Sequence, residues 1–174
     1  MLNRSAVRYD ERMKEWLAAY KYRRNERLRD LLAAMLYRSY KRHETDFTRT
    51  GAVHLITYVP VSLQRLEERG FNQAERLAAW LGVRTGISVV GLLKRRRDTA
   101  QQSYKGRAER ITDLHDVFVW DDDALNWILT NTPERPINIL IIDDVYTTGS
   151  TLHHCAATLA EKVDANVYGL TWAR

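Results

Sequence analysis

The segment ILIIDDVYTTGST, from Ile139 to Thr151, constrains the fold of this chain more than any other feature. An apolar run typical of a buried strand ends in two consecutive carboxylates, Asp143 and Asp144, and a short loop of Thr, Gly and Ser follows them. A helical pattern then begins at Ser150. Continuous apolar strands of this kind are typical of parallel sheets that are covered on both faces. The segment therefore predicts an α/β fold with a ligand site at the carboxyl end of this strand.

The rest of the sequence predicts a helical region followed by alternating strands and helices. Between Met13 and Leu36 apolar residues recur at helical spacing, and the polar residues 41–51 then predict a loop. The predicted strands are 53–61, 87–93, 118–120 (a short edge strand), 137–142 (a central parallel strand) and 166–172, and the predicted helices are 72–81, 122–130 and 150–163. We expect one domain over residues 1–174, with a helical N-terminal region at 1–50 and an α/β core with a mainly parallel sheet at 51–174.

Charge is distributed unevenly along the chain. Through Arg110 there are 24 Lys and Arg against 12 Asp and Glu, and from Ile111 onward there are 3 against 10, so a segment of net charge +12 precedes one of −7. This asymmetry predicts an anionic ligand or partner, although a solvated, arginine-rich helical surface explains it equally well. Residues 94–110 are basic and polar, which predicts a long surface loop of a functional or mobile kind.

Composition excludes several classes of protein. No apolar run approaches the ~18 residues that a transmembrane helix needs, and residues 1–10 lack the apolar core of a signal peptide. The single cysteine, Cys155, excludes an internal disulfide and a zinc site built from several cysteines, and its place on an apolar helix face favours a core role. We expect a cytoplasmic protein without a membrane span.

The loop after the two carboxylates has the chemistry of a phosphate-monoester site. Its backbone N–H groups, its hydroxyls and the N-terminus of the following helix can face an anion, and Gly149 leaves room for close approach. Asp143 and Asp144 can accept hydrogen bonds from sugar hydroxyls or attract Mg²⁺. A ribose 5-phosphate fits this combination, whereas the Walker and dinucleotide glycine motifs are absent. The alternative is a structural one, in which an acidic turn precedes a Ser- or Thr-capped helix.

Two motifs relate the chain to a known family. ILIIDDVYTTGST resembles the phosphoribosyl diphosphate (PRPP) motif of type I phosphoribosyltransferases, and VPVSLQRLEERGFNQAERLA, from Val59 to Ala78, resembles the RGFNQ signature of the ComF family of competence-associated, phosphoribosyltransferase-like proteins. Tyr20-Lys21-Tyr22 and residues 101–110 also fit the layout of that family. The resemblance implies a type I phosphoribosyltransferase-like fold with a mobile hood loop at 94–110, PRPP binding with Mg²⁺, and a role in DNA uptake during natural transformation.

The resemblance also implies roles for particular residues. Asp143 and Asp144 are implied to be the catalytic pair that engages the ribose hydroxyls, and Asp143 to hold Mg²⁺, through water or through the ligand. The residues implied to bind the rest of the ligand are Val61 and Ser62 for the diphosphate, and Thr147, Thr148, Gly149, Ser150 and Thr151 for the 5-phosphate. The basic residues implied to contact the diphosphate or nucleic acid are Arg69, Arg95, Arg96, Arg97, Lys105, Arg107 and Arg110.

The sequence departs from the family pattern in two places. Fuller members begin with a zinc ribbon of four cysteines, but no cysteine precedes Cys155, so either this member lacks the ribbon or the ribbon has been cut away. We expect no zinc in this chain. The hood of the family usually reads Arg-x-x-Asn, whereas here Arg110 is followed by Asp113. The second difference implies that the polar contact of the hood is altered.

Some of these residues also have a purely structural interpretation. The RGFNQ segment can form a glycine turn in which Asn72 caps the following helix. His153 and His154 are adjacent, so they do not share a helix face and are not expected to bind a metal ion.

Two functions stay open because a fold does not determine an activity. The first is an enzyme of nucleotide metabolism that transfers a pentosyl group from PRPP to a base or another nucleophile. The second is a non-catalytic module that binds single-stranded DNA and is regulated by PRPP. Tyr20, Tyr22 and Tyr104 stand among basic residues and are candidates for base stacking, although a core or plain surface role explains them as well. A competence helicase and a second copy of the chain are further partners that the resemblance implies.

Overall fold

The computed structural model describes residues 1–23, 26–96, 117–132 and 136–174. The strands are β1 (Leu2–Val7), β2 (Leu55–Tyr58), β3 (Ser88–Val89), β4 (Leu93–Arg95), β5 (Phe118–Trp120), β6 (Ile137–Val145) and β7 (Ala165–Ala173). The helices are α1 (Glu11–Arg23), α2 (Glu26–Arg42), α3 (Glu44–Phe47), α4 (Leu63–Arg69), α5 (Gln73–Thr85), α6 (Asp122–Asn131) and α7 (Ser150–Ala160).

The fold is α/β with a parallel sheet, which confirms the predicted class. A five-stranded sheet has the order β1-β7-β6-β2-β3, and every neighbouring pair in it is parallel. Strands β4 and β5 form a separate antiparallel pair. β6 is the middle strand and is buried over almost its whole length, as its continuous apolar run predicts for a strand covered on both faces.

Two apolar cores lie on opposite faces of β6 because successive side chains of a strand point to opposite sides. Leu140 and Ile142 belong to the first core, which packs against α1, α2 and α5. Ile139 and Ile141 belong to the second core, which contains side chains of α6, α7, β4 and β5. The helices therefore clamp the middle strand from both sides and hold its carboxyl end in a defined place.

The sequence predicts a helical N-terminal region, but in the structure this region is only partly helical. Residues Leu2–Val7 form the edge strand β1, which pairs with β7 and carries a hydroxyl contact of 2.7 Å between Ser5 Oγ and Thr171 Oγ1. The predicted loop at 41–51 is also wrong in part, because α2 continues to Arg42 and α3 follows directly. The completely buried Phe47 anchors α3 against the ring of Tyr40. The first of these errors concerns a partner strand that is distant in the chain.

Three further elements differ from the prediction. The strand predicted at 53–61 is limited to Leu55–Tyr58. The strand predicted at 87–93 divides into β3 and β4, which belong to different sheets. Helix α4 was not predicted because its side chains are mostly exposed and show no apolar stripe. The predicted elements 118–120, 122–130, 150–163 and 166–172 correspond to β5, α6, α7 and β7, with small shifts at their ends.

Most of the predicted hood lies outside the described residues. Only positions 94–96 of the segment 94–110 are described, and the first two belong to β4. Across the described ranges, no helix has both the length and the apolar character that crossing a bilayer requires.

We predict that Cys155 reacts with thiol reagents only when the protein unfolds. Its side chain is 0% exposed, and burial, together with the nearby charge of Asp143, raises the pKa of the thiol. Because the thiolate is the reactive form, the native protein should label very slowly at pH 8. A chromogenic disulfide reagent should detect one thiol per chain in denaturant. Rapid labelling of the folded protein would contradict this burial.

Candidate functional site

The site lies where the carboxyl ends of β2 and β6 meet. Tyr58 pairs with Ile142, and the Val59 N–H donates to the Ile142 carbonyl at 3.0 Å. The chain runs from β2 through α5 to β3, which lies on one side of this strand pair. It runs from β6 through α7 to β7, which lies on the other side of the pair. Such a reversal of strand order opens a crevice, and crevices of this kind are where open α/β sheets bind ligands.

The two carboxylates at the end of β6 face different surroundings. Asp144 contacts Lys21 of α1 and Gln73 of α5, on the side of the first core. Asp143 acts electrostatically on Cys155 of α7, on the side of the second core. The predicted pair is therefore present, and its two members have different partners in addition to their contact with each other.

Asp144 is 7% exposed and is held by two donors. Lys21 Nζ forms an ion pair with Asp144 Oδ2, and Gln73 Nε2 donates to the same oxygen at 3.2 Å. A buried carboxylate without such partners would be costly, because the protein interior does not replace the solvation that water provides. Two helices thus stabilise this carboxylate at the crevice.

Asp143 is 8% exposed and turns back on its own backbone. Its Oδ1 accepts a hydrogen bond of 2.8 Å from the Asp144 N–H. Burial raises the pKa of Asp143 well above that of an ordinary carboxyl group, and the negative charge of Asp144 raises it further, against the opposing charge of Lys21. Asp143 is therefore protonated more readily than an ordinary carboxyl group.

The side chains available at the site limit how it could bind the expected Mg²⁺ ion. Among the residues that the structure describes, no cluster of three or more His, Cys, Asp or Glu side chains could hold a metal ion. Mg²⁺ is commonly bound by one or two carboxylates together with the phosphate oxygens of a substrate. The side chains of Asp143 and Asp144 therefore fit a Mg²⁺ ion only when a phosphorylated ligand supplies most of the other oxygen ligands.

The loop after β6 is open towards solvent and turns sharply at Gly149. Gly149 has φ +81° and is the N-cap of α7, and a Cβ there would lie 2.3 Å from Tyr146 Oη. The backbone therefore requires glycine at this position. The predicted phosphate contacts Thr147, Thr148, Ser150 and Thr151 are all exposed. The loop thus places hydroxyls and the first N–H groups of a helix next to the carboxylates.

The loop is supported from within α7. His153 Nδ1 lies 2.9 Å from the Gly149 carbonyl, which can only accept, so the geometry assigns the proton to Nδ1. His154 lies 3.3 Å from Ser150 Oγ through its own Nδ1. Both histidines therefore contact the loop through Nδ1.

The RGFNQ segment connects two helices and anchors the loop after β2. Gly70 ends α4 with φ +76°, and Asn72 caps α5 by accepting from the Ala74 and Glu75 N–H groups. The structural interpretation of Asn72 as an N-cap is thereby confirmed. Asn72 Nδ2 also donates to the Val59 carbonyl at 3.0 Å. One side chain therefore joins the start of α5 to the loop that carries Val61 and Ser62.

The residues predicted to meet the diphosphate are placed as follows. Val61 and Ser62 are half-buried and follow β2 directly, beside the end of β6. The Ser62 hydroxyl caps α4 by accepting from the Arg65 N–H at 3.4 Å. Arg69 is 6% exposed and donates to Gln73 Oε1 at 3.0 Å, so its burial favours a supporting role over direct contact with nucleic acid.

The basic residues near β4 are only partly within the described ranges. Arg95 and Arg96 are exposed, and the Arg95 guanidinium lies 5.9 Å from the centre of the Phe118 ring. The charge of Arg95 partly offsets the rise in the pKa of Cys155, which places Arg95 within electrostatic reach of α7. The remaining predicted contacts lie outside the described residues: Arg97, Lys105, Arg107 and Arg110.

The aromatic candidates for base stacking are not supported where the structure describes them. Tyr20 is buried in the first core and packs on Phe71 with 5.4 Å between ring centres, so the core interpretation is correct for this residue. Tyr104 and the side chain of Tyr22 lie outside the described residues.

Sequence reasoning did not assign Lys21, Gln73 or His153 to the site. A signal existed for the first two, because Lys21 stands in the Tyr20-Lys21-Tyr22 segment and Gln73 ends the RGFNQ signature. Neither segment shows which residue it contacts, since Lys21 and Gln73 reach Asp144 only through tertiary packing.

Comparison with known proteins gives two relatives of the same name. No family model matches the chain. The chain is 31% identical over 160 residues to Competence protein ComFC of Bacillus subtilis (strain 168), an alignment that covers 92% of this chain and 58% of the relative. It is 28% identical over 159 residues to Competence protein ComFC of Streptococcus pneumoniae (strain ATCC BAA-255 / R6), which covers 91% of this chain and 62% of that protein. The chain thus spans about three fifths of the length of these curated relatives.

We predict that Asn72→Ala lowers the free energy of unfolding by about 1–3 kcal/mol, because it removes a helix cap and leaves the buried Val59 carbonyl without this donor. Denaturant unfolding measures the change. Asn131→Ala is the control, since the Asn131 amide donates to a carbonyl on the exposed surface of α6. The control should change stability by less than about 0.5 kcal/mol, and equal losses in the two variants would contradict the anchoring role.

Proposed function

We propose that the chain, as a member of the ComF family, binds PRPP in the crevice between β2 and β6, together with Mg²⁺ carried on the diphosphate. The observation that carries this proposal is the position of a paired, buried carboxylate, Asp144, directly before an exposed Gly/Thr/Ser loop and a helix N-terminus. Few small molecules combine a diol with a phosphate monoester at such a spacing, and a ribose 5-phosphate is one of them.

The 5-phosphate of the ligand is assigned to the loop 147–151. Backbone N–H groups at a helix N-terminus have no partner within the helix, and the helix dipole favours an anion there. The exposed hydroxyls of Thr147, Thr148, Ser150 and Thr151 add further donors. Asp144, which precedes this loop in the chain, then accepts hydrogen bonds from the ribose hydroxyls.

The diphosphate of the ligand is assigned to the loop after β2 and to the exposed arginines of β4. The backbone at Val61 and Ser62 emerges beside Asp144, held there by Asn72. Arg95 supplies positive charge on the side of α7, and Arg96, its neighbour in the chain, is exposed. Bound Mg²⁺ would neutralise the diphosphate oxygens and so favour departure of pyrophosphate.

The same arrangement supports transfer of the phosphoribosyl group. As pyrophosphate leaves C1 of the ribose, positive charge develops on the sugar ring and negative charge on the leaving group. Asp144 stabilises the first charge, and the arginines stabilise the second. Lys21 and Gln73 hold Asp144 in place before the reaction, which is the condition under which a charged side chain lowers a barrier.

We further propose a role in competence, in line with the names of the two relatives. The proposed process is DNA uptake during natural transformation. A competence helicase and a second copy of the chain stay predictions as partners, and so does a cytoplasmic location.

A second candidate function is binding of single-stranded DNA, regulated by PRPP. The observation that favours it is a row of basic and aromatic side chains along α5. Arg76, Trp80 and Arg84 follow one another at intervals of one helical turn, and the Arg84 guanidinium lies 4.7 Å from the centre of the Trp80 ring. Alternating cations and rings of this kind can hold phosphates and stack bases.

Two measurements separate the candidates. Release of pyrophosphate from PRPP, tested with free bases and with single-stranded DNA, favours transfer chemistry. Binding of single strands that falls steeply with salt, by about 0.7 log units per log unit of salt for each phosphate contacted, favours the DNA-binding module.

We predict that Asp144→Asn weakens PRPP binding by about 100-fold or more, because it removes the charge that faces the ribose hydroxyls. Calorimetric titration with PRPP and Mg²⁺ measures the affinity, and thermal unfolding shows whether the variant is folded. Asp164→Asn is the matched control, since Asp164 is exposed and lies at the opposite edge of the sheet. Unchanged affinity in a folded Asp144→Asn protein would refute the site.

We predict that Arg95→Glu weakens PRPP binding by about tenfold at low salt and by less at high salt, because the contribution of an exposed charge is screened. The same titration at two ionic strengths measures this effect. Lys162→Glu reverses an exposed charge at the far edge of the sheet and should leave the affinity unchanged. A loss of thermal stability alone would argue against Arg95 as a ligand contact.

A further inference from the structure

We infer that Lys21, Gln73 and Arg69 are positioning residues that orient Asp144 so that the site distinguishes ribose from 2-deoxyribose phosphates. This inference rests on the proposed function, since it concerns the recognition of the sugar in that crevice. It extends the proposal by assigning a task to helix α1 and to the RGFNQ segment.

The first observation is that two donors converge on one oxygen of Asp144. Lys21 Nζ and Gln73 Nε2 both contact Oδ2. A carboxylate has two oxygens with several acceptor positions. Engagement of Oδ2 from two directions fixes the rotation of the carboxylate plane, and Oδ1 is thereby the oxygen that is presented to an incoming hydroxyl.

The second observation is that the amide of Gln73 is itself oriented. Arg69 Nη1 donates to Gln73 Oε1 at 3.0 Å. A guanidinium can only donate and a carboxylate can only accept, so the amide oxygen must face Arg69 and its NH₂ group must face Asp144. The order Arg69, Gln73, Asp144 therefore has one direction, and reversal of the amide would break both hydrogen bonds.

The third observation is the burial of the whole arrangement. Arg69, Gln73 and Asp144 are all buried, and Lys21 is mostly buried. Hydrogen bonds between charged groups are stronger where water is excluded, and buried side chains lose little further entropy when a ligand binds. The entropy cost of orienting Asp144 is therefore incurred when the protein folds, so it is not subtracted from the free energy of ligand binding.

The fold explains how these side chains meet. Arg69 ends α4, Gly70 turns the chain with φ +76°, and Asn72 caps α5, so Gln73 begins the next helix facing Arg69. Lys21 approaches from the other side, at the end of α1. The turn of the RGFNQ segment therefore brings an arginine and a glutamine together behind the carboxylate.

The test compares two sugars. Lys21→Met and Gln73→Met each remove one donor but keep an unbranched apolar side chain of similar length. Calorimetry should show that both variants bind ribose 5-phosphate about tenfold more weakly than the unsubstituted chain, since each removes a hydrogen bond to a charged group. Affinity for 2-deoxyribose 5-phosphate, which lacks one of the hydroxyls, and for inorganic phosphate should change by less than about twofold, because the phosphate loop is unaffected.

Controls and rescue complete the experiment. Lys21→Arg retains a cationic donor and should restore most of the preference for ribose. Lys14→Met on α1 and Gln64→Met on α4 are exposed counterparts and should change neither affinity. Equal weakening for all three ligands, or an unchanged preference for ribose in folded Lys21→Met and Gln73→Met proteins, would overturn the inference while the proposed function stands. Failure of the unsubstituted chain to bind PRPP would instead overturn the proposed function, and the inference with it.

Discussion

The buried ion pair between Lys21 and Asp144 is the interaction on which the site depends. An apolar strand covered on both faces ends in a carboxylate that has little contact with water. Such a carboxylate requires partners, because burial of an unpaired charge costs several kcal/mol or more. The ammonium group of α1 and the amide of α5 supply them. The N-terminal helices are thereby coupled to the carboxyl end of the middle strand, in addition to packing on its face.

The topology of the sheet explains why the crevice forms at this place. The two strands whose carboxyl ends flank it, β2 and β6, are neighbours, but their following helices cover opposite faces. The loops after these strands must therefore diverge, and open α/β sheets bind ligands at such points. Asn72 holds one loop, and Gly149 with His153 shapes the other. The site is thus built from parts that also stabilise the turns of the fold.

The sequence predicted elements well where local pattern decides the structure. The middle strand, the helix after it and the loop between them are all present, because a continuous apolar run and a Gly/Thr/Ser turn have few alternatives. It predicted poorly where partners are distant. β1 has no apolar alternation and is a strand only because β7 pairs with it. The segment 87–93 divides because its two ends join different sheets.

The sequence by itself determined that two carboxylates end an apolar strand just before a loop suited to phosphate. It also determined that Gly149 and Asn72 stand at the turns, since those residue types have specific backbone and capping properties. Only the tertiary structure decided that the two carboxylates have different partners, with Asp144 held by Lys21 and Gln73 and Asp143 turned back on the backbone. The physical reason is that ion pairs and hydrogen bonds depend on distances of a few ångströms, and spacing along the chain does not specify distances between residues on separate elements.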